Sequence, residues 1–267
     1  MGSVSGNITT MDVAFATDPA AGGPNEDHVV ASDSFAVVID GVTRLPGLDN
    51  GCAHDPVWLV HTLGTQLTEL LSSAKHAPLP DVLAEAILRL RACHEGGCDL
   101  TNPDSPSATV AIARERDEYV DYLVLCDSTV VLDGYDSCQA VTDDRTARLP
   151  AYDRESVAKL RNAPDGFWVV STVPEAAGHA LTGSVPRQSL RQVVLCTDGL
   201  SRLVERFDRT WPDVLAILKH RGPRGAVEAV RAAERAHPEA HRHGKAHDDA
   251  TVAVCRIDAR NPRHGAG

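Results

Sequence analysis

Apolar residues along this chain follow two spacings, and the points where one gives way to the other divide it into blocks. Short β-type runs open it from Met11: MDVAFAT, HVVAS and SFAVVID. The last, over 34–40, is nearly continuous in apolar residues and stops at Asp40-Gly41, as a buried strand does when it ends in a turn. A cluster rich in Gly, Pro, Asn and Asp covers 46–56. Residues 57–74 and 80–93 then carry apolar side chains at helical spacing. Asp81 near the start of the second stretch, and Arg89 and Arg91 near its end, complement a helix dipole. Two amphipathic helices joined by a turn at Pro78 and Pro80 are predicted.

The strand-like period returns in SATVAIARE, EYVDYLVLCD and STVVLDG. Polar turns separate these three segments, which predicts an antiparallel meander. Residues 135–190 are mixed and polar, with a short helix expected near 153–162, and have the composition of an elaborated loop or flap rather than core. The core pattern resumes over 190–197 and ends in Asp198-Gly199. Two or three helices fill 200–236, a last strand reads ATVAVCRI, and the tail over 259–267 is polar. With no internal repeat and no linker, this order predicts one α+β domain over 1–258 with helices covering sheet faces.

Composition narrows the function classes. The formal net charge of -11 argues against nucleic-acid binding, since nothing would offset repulsion between phosphates and carboxylates. Clustered Asp and Glu can, however, be balanced locally by divalent cations. Cys126, Cys196 and Cys255 sit in apolar runs and read as small buried hydrophobes. Cys93 and Cys98 flank His94, a C-x4-C pattern that by itself is a weak zinc signal. The first residues lack a basic start followed by an apolar stretch, and no run reaches membrane-spanning length. A cytoplasmic protein without membrane contact is expected.

Candidate chemistry lies at the strand ends. Asp40-Gly41 and Asp198-Gly199 each end an apolar run, Asp248-Asp249 precedes the last strand, and Asn25-Glu26-Asp27 precedes an early one. Any one Asp-Gly is an ordinary turn dipeptide. Repeated at strand ends, such carboxylates are rigidly held oxygen donors suited to Mg²⁺. Brought together without a cation they would repel and raise one another's pKa, so a cluster implies either bound metal or a proton-sharing acid pair.

The ordered set NED (25–27), FAVVIDG (35–41), SATV (107–110), LVLCDSTVVL (123–132), VVLCTDGL (193–200) and DDATVAV (248–254) resembles the motif series of PP2C-type (PPM) metal-dependent protein phosphatases, over about nine-tenths of the chain. The resemblance implies a four-layer α-β-β-α sandwich, two antiparallel sheets between helix pairs, with two Mg²⁺ or Mn²⁺ ions at one end. Asp40 matches the aspartate bridging both metals, and Gly41 the glycine whose carbonyl helps bind one. Glu26 matches the glutamate serving the second metal, with Asp27 beside it. Asp198 and Asp248 match the aspartates holding the first, so that Asp40 and Asp198 become the catalytic carboxylates. Asp127, in Cys-Asp-Ser where the family usually has Gly-Asp-Ser, matches the aspartate of a looser third site. Asp249 replaces the usual Asn. A water between two cations would then attack phosphorus directly, without a phosphoenzyme.

The chain departs from the pattern at two places. Gly22 stands where many members have a phosphate-clamping Arg, which leaves Arg44 as the nearest substitute in sequence. Val42 stands where eukaryotic members have His. The resemblance implies phosphoserine or phosphothreonine in a protein as substrate, and the missing Arg leaves a small phosphomonoester as the alternative. A third possibility, a non-catalytic binding module, is opposed by retention of Glu26, Asp40, Asp198 and Asp248.

Overall fold

The computed structural model describes residues 11–44, 47, 49–94, 96–237 and 247–257. The polar tail over 259–267 lies outside these. Among the described residues ten strands form two five-stranded sheets, and every pairing between these strands is antiparallel. One sheet has the order β1 (Met11–Asp18), β10 (Ala250–Ile257), β9 (Leu190–Cys196), β6 (Thr129–Gly134), β7 (Cys138–Thr142). The other has β2 (Asp27–Ala31), β3 (Phe35–Gly41), β4 (Ala108–Arg116), β5 (Tyr119–Leu125), β8 (Leu181–Pro186).

Side-chain alternation explains why β3 reads as a continuous apolar run. Phe35, Val37 and Ile39 face a core shared with helices α1 (Pro56–Ser73) and α2 (Leu79–Ala92). Ala36 and Val38 face the other sheet, meeting a layer that includes Val193, Leu195, Ala253 and Cys255. Both faces of the strand are therefore covered, and neither needs polar residues. On the far side Val131, Val194, Val252 and Val254 pack on α4 (Asp198–Glu205) and α5 (Trp211–Ala236). These are the four layers that the motif series implied.

Local chemistry sets the helix ends. Asp55 caps α1 by accepting a hydrogen bond from the Trp58 amide at 2.7 Å, with Pro56 in the first turn. Thr210 and Asp213 form a reciprocal capping box at the start of α5. Gly222 (φ 70°) breaks α5 ahead of Pro223, so the 200–236 region contains three helical pieces.

Two expectations change. The three segments read as a meander are not one: β4 and β5 pair in one sheet, while β6 crosses to the other and pairs with β7 and β9. The crossing follows β5 at Cys126, whose φ of 67° is the left-handed conformation that turns the chain abruptly. The glycine usual at this position in the phosphatase motif adopts that conformation at less cost. The 135–190 segment is also more than a flap. It supplies β7 and β8, edge strands of the two sheets, a helix α3 (Arg154–Leu160), and the buried residues Trp168, Val169 and Val170. Its polar pattern reflects edge strands with one wet face.

Candidate active site

Within the sandwich the inter-sheet row of each strand changes from apolar to polar at one end. Ala36 and Val38 lead to Asp40 on β3; Ala113 and Ala111 lead to Thr109 on β4; Val193 and Leu195 lead to Thr197 just past β9; Ala253 leads to Thr251 on β10. Asp27 opens β2 directly opposite Asp40, and Thr109 faces Asp40 from the other side. Period-two alternation puts all of these on the same faces. Thr129 at the start of β6 pairs with Cys196, which in turn pairs with Val252, so Asp127, Asp198 and Asp248 are carried to the same end.

Hydroxyls tie this end together. Thr197 Oγ1 donates to Asp27 Oδ2 at 3.0 Å and accepts from the Thr251 amide at 3.1 Å. Thr109 Oγ and Ser128 Oγ lie 2.6 Å apart in full burial. The other Asp27 oxygen, Oδ1, is buried with no hydrogen-bond partner. A buried carboxylate oxygen left in that state is costly unless a cation or proton sits against it.

The electrostatics point the same way. Burial pushes Asp40 well above the ordinary carboxylate range, and Asp27, Asp198, Asp127 and Asp248 add repulsion in that order. Burial raises Asp27 to about 8, with contributions from Asp249 and Asp198. Burial raises Asp198 to about 7, helped by Asp127 and Asp248 and opposed by Arg202. Burial also raises Asp127, with Glu205 adding to it. The donor set is all oxygen and anionic, which fits hard divalent cations of the Mg²⁺ or Mn²⁺ kind.

The two Asp-Gly glycines have a steric cause. The Gly41 amide donates to the Glu26 carbonyl at 3.0 Å, and a Cβ at Gly41 would lie 2.8 Å from that oxygen. A Cβ at Gly199 would collide with the carbonyl oxygen of Asp249. Each glycine thus lets two carboxylate-bearing segments touch through their backbones. Glu26 accepts a hydrogen bond from Thr43 Oγ1.

Asp249, which differs from the motif's Asn, acts as a bracket. Its two oxygens accept from the amides of Ala20 and Glu26, both at 2.6 Å, and hold the 20–26 loop against the start of β10. Gly22 lies in that loop at φ 90° and is exposed, a backbone state that an Arg would enter only under strain. Arg44 is exposed beyond Gly41, and it lines a cavity of about 40 Å³ with Val42, Ser107 and Arg161.

Arg161 and Arg202 were not picked out from sequence, and Asp27 was named there only as the neighbour of Glu26. Asp27 is buried and faces Asp40, whereas Glu26 beside it is only half-buried; the signal available was the start of a strand at Asp27. Arg161 comes from the supposed flap. Its Nη1 donates to the Pro103 carbonyl at 3.0 Å and to Ser107 Oγ at 3.3 Å, while its buried Nε has no partner. Arg202, one turn beyond Asp198 on α4, is 2% exposed and donates to Glu234 at 3.0 Å and Asp248 at 3.2 Å. Its spacing from Asp198 was visible in the sequence, but its two distant carboxylate partners were not. Glu234 also accepts from Arg231 at 3.0 Å and lies 2.9 Å from His247 Nδ1. Arg202→Met is expected to lower unfolding free energy by about 3 kcal/mol, because it breaks a buried ion pair from one side. Urea denaturation reads the change, and a loss under ~1 kcal/mol would refute the pairing's structural weight.

The family model described as Protein phosphatase 2C matches residues 19–235. No curated protein matches. Among solved structures, the Mycobacterium tuberculosis serine/threonine phosphatase PstP/Ppp superposes with a TM-score of 0.59 at 16% identity, covering 93% of this chain and 99% of that one. The catalytic domain of PstP in complex with 2 manganese ions gives 0.58 at 17% identity, with the same coverages of 93% and 99%. Serine/threonine phosphatase Stp1 from Staphylococcus aureus gives 0.60 at 13%, covering 94% and 96%. At these identities the structural likeness establishes the fold. Among the described residues no helix is long and apolar enough to cross a membrane.

Proposed function

The chain belongs to the Protein phosphatase 2C family, and from that premise we propose that it hydrolyses phosphomonoesters, specifically phosphoserine and phosphothreonine in proteins. The observation that carries the reading is the set of buried, mutually repelling carboxylates at the polar end of the sandwich, with Asp27 Oδ1 left unpartnered among them. Glu26, Asp40, the Gly41 carbonyl, Asp198 and Asp248 would hold two Mg²⁺ or Mn²⁺ ions, with Asp40 between them and Asp127 serving a weaker third site. Bound there, the ions would neutralise charge on the phosphoryl oxygens and acidify the attacking water.

The remaining work falls to the chain's own groups. Asp249 fixes the 20–26 loop, and with it Glu26, through two backbone amides. Arg202 orients Asp248 from within α4. In this proposal Arg161, held by Pro103 and Ser107 in the cavity it shares with Arg44, would supply the phosphate-binding cation that Gly22 does not. On this reading residues 1–258 form one catalytic domain, and the 135–190 segment contributes a substrate-facing cation rather than a detachable lid.

Assays on p-nitrophenyl phosphate and on phosphoserine and phosphothreonine peptides, each with Mn²⁺, Mg²⁺ or EDTA, test the proposal. Metal-dependent turnover of both substrate kinds is expected, with KM raised about tenfold in Arg161→Ala. Turnover of the small ester alone would move the substrate to small phosphomonoesters. Activity indifferent to EDTA would remove the metal reading, and inactivity in every metal would leave a binding module.

A further inference from the structure

A second cluster of metal-ligating side chains lies outside the carboxylate site, and it has the opposite chemistry. Cys52 and His54 sit on the loop between β3 and α1, and His94 and Cys98 follow the C-terminal end of α2. One donor atom from each, two sulfurs and two imidazole nitrogens, all lie within 4.8 Å of one another. Cys52 Sγ is 3.4 Å from His54 Nδ1, 3.5 Å from His94 Nδ1 and 3.4 Å from Cys98 Sγ, while Cys98 Sγ is 3.5 Å from His54 Nδ1. With Zn–S near 2.3 Å and Zn–N near 2.0–2.1 Å, a tetrahedral site has S···N edges of about 3.5 Å and an S···S edge of about 3.8 Å. The three S···N distances fit this, and the S···S distance of 3.4 Å is somewhat shorter than the ideal edge.

We propose that Cys52, His54, His94 and Cys98 form a structural Zn²⁺ site that ties the loop leaving the catalytic strand β3 to the end of α2. Thiolate and imidazole donors in a four-coordinate arrangement select zinc, whereas the all-oxygen centre selects Mg²⁺ or Mn²⁺, so one chain sorts two kinds of metal by donor softness. The surroundings hold the ligands in place. The His54 amide points at Cys52 Sγ at 3.4 Å, and the Cys52 amide donates to Asn50 Oδ1 at 3.1 Å. The Asp99 amide donates to the Gly51 carbonyl at 2.7 Å, joining the two ligand loops through backbone. The Trp58 indole stacks on His54 at 3.7 Å between ring centroids and meets His94 edge-on at 4.8 Å. Each side chain is half-buried, which limits exchange while leaving a route for the ion. The four ligands close the α1–α2 hairpin at its open end. Asn50, two residues before Cys52, lines the cavity that also contains Val42 and Arg44. Cys93, adjacent to His94, is exposed and stands outside the cluster.

The test is metal analysis of the full chain purified under reducing conditions from zinc-supplemented cells, together with Co²⁺ substitution of the wild type. One zinc per chain is expected, retained in Asp40→Asn/Asp198→Asn and lost in Cys52→Ser/Cys98→Ser. Co²⁺ should give the intense visible bands of a tetrahedral ion and a thiolate charge-transfer band, which can be read without any variant having to fold. Zinc that persists in the cysteine variant but vanishes from the aspartate variant would place the ion at the carboxylates and overturn the proposal. So would a Co²⁺ spectrum lacking thiolate bands, or a Cys52–Cys98 disulfide found quantitatively by peptide mapping.

Discussion

Asp40→Asn is expected to reduce metal-dependent phosphatase turnover by roughly a thousandfold or more while making the metal-free protein more stable, not less. The first effect follows from removing the carboxylate proposed to lie between both cations, since charge stabilisation of that kind supplies several kcal/mol of the barrier reduction. The second follows from the surroundings of Asp40: burial, then Asp27, Asp198, Asp127 and Asp248, all disfavour its charge. Asn is nearly isosteric and carries no charge, so it relieves repulsion that only a cation otherwise relieves. Paired measurements check it: turnover of p-nitrophenyl phosphate in saturating Mn²⁺, and thermal unfolding in EDTA. A variant that loses both activity and metal-free stability would show Asp40 to be held by unrecognised donors rather than by repulsion. A variant with near-normal turnover would remove Asp40 from the bridging role.

Metal removal should also make stability strongly dependent on pH, in a direction opposite to ordinary acid unfolding. Asp27 at about 8 and Asp198 at about 7 stand far above the usual 3.8, so the folded chain binds their protons more tightly than the unfolded chain does. Stability from that source is complete below about pH 4 and is lost as pH rises through 7 and 8, because the unfolded state then binds fewer protons. In EDTA, Tm is therefore expected to fall between pH 5 and pH 8.5 by several degrees, at about 2–4 °C for each kcal/mol in a chain of this size. Saturating Mn²⁺ should restore most stability at the alkaline end, since cations favour the deprotonated cluster. A flat or rising Tm across that interval in EDTA would show that the carboxylates do not share one buried site.

The fold was legible because its code is local and repetitive. Continuous apolar runs at 35–39 and 193–196 announce strands covered on both faces, and the stretches that became α1 and α2 show helical spacing. The crossing of β6 between sheets was not legible, because it depends on one left-handed residue, Cys126, whose side chain gives no sign of that conformation. The edge strands β7 and β8 were read as flap for a related reason. An edge strand in contact with solvent carries little apolar pattern, and only its partners β6 and β5 define it.

For the site, sequence alone determined the carboxylates that end apolar strands, Asp40 and Asp198, and the likeness of their ordered motifs to the phosphatase family. These are contiguous signals, written within a few residues of one another. Only the tertiary structure decided that Asp27 faces Asp40, that Asp249 brackets a loop, that Arg202 reaches Asp248, and that Arg161 lines a cavity with Val42 and Arg44. It also decided that Cys98 meets Cys52 and His54 across the α1–α2 hairpin, where spacing in sequence had offered only a weak C-x4-C. The physical reason is common to all of these. A partner tens or hundreds of residues away is selected by packing and strand register, and neither is encoded in the local spacing of residue types.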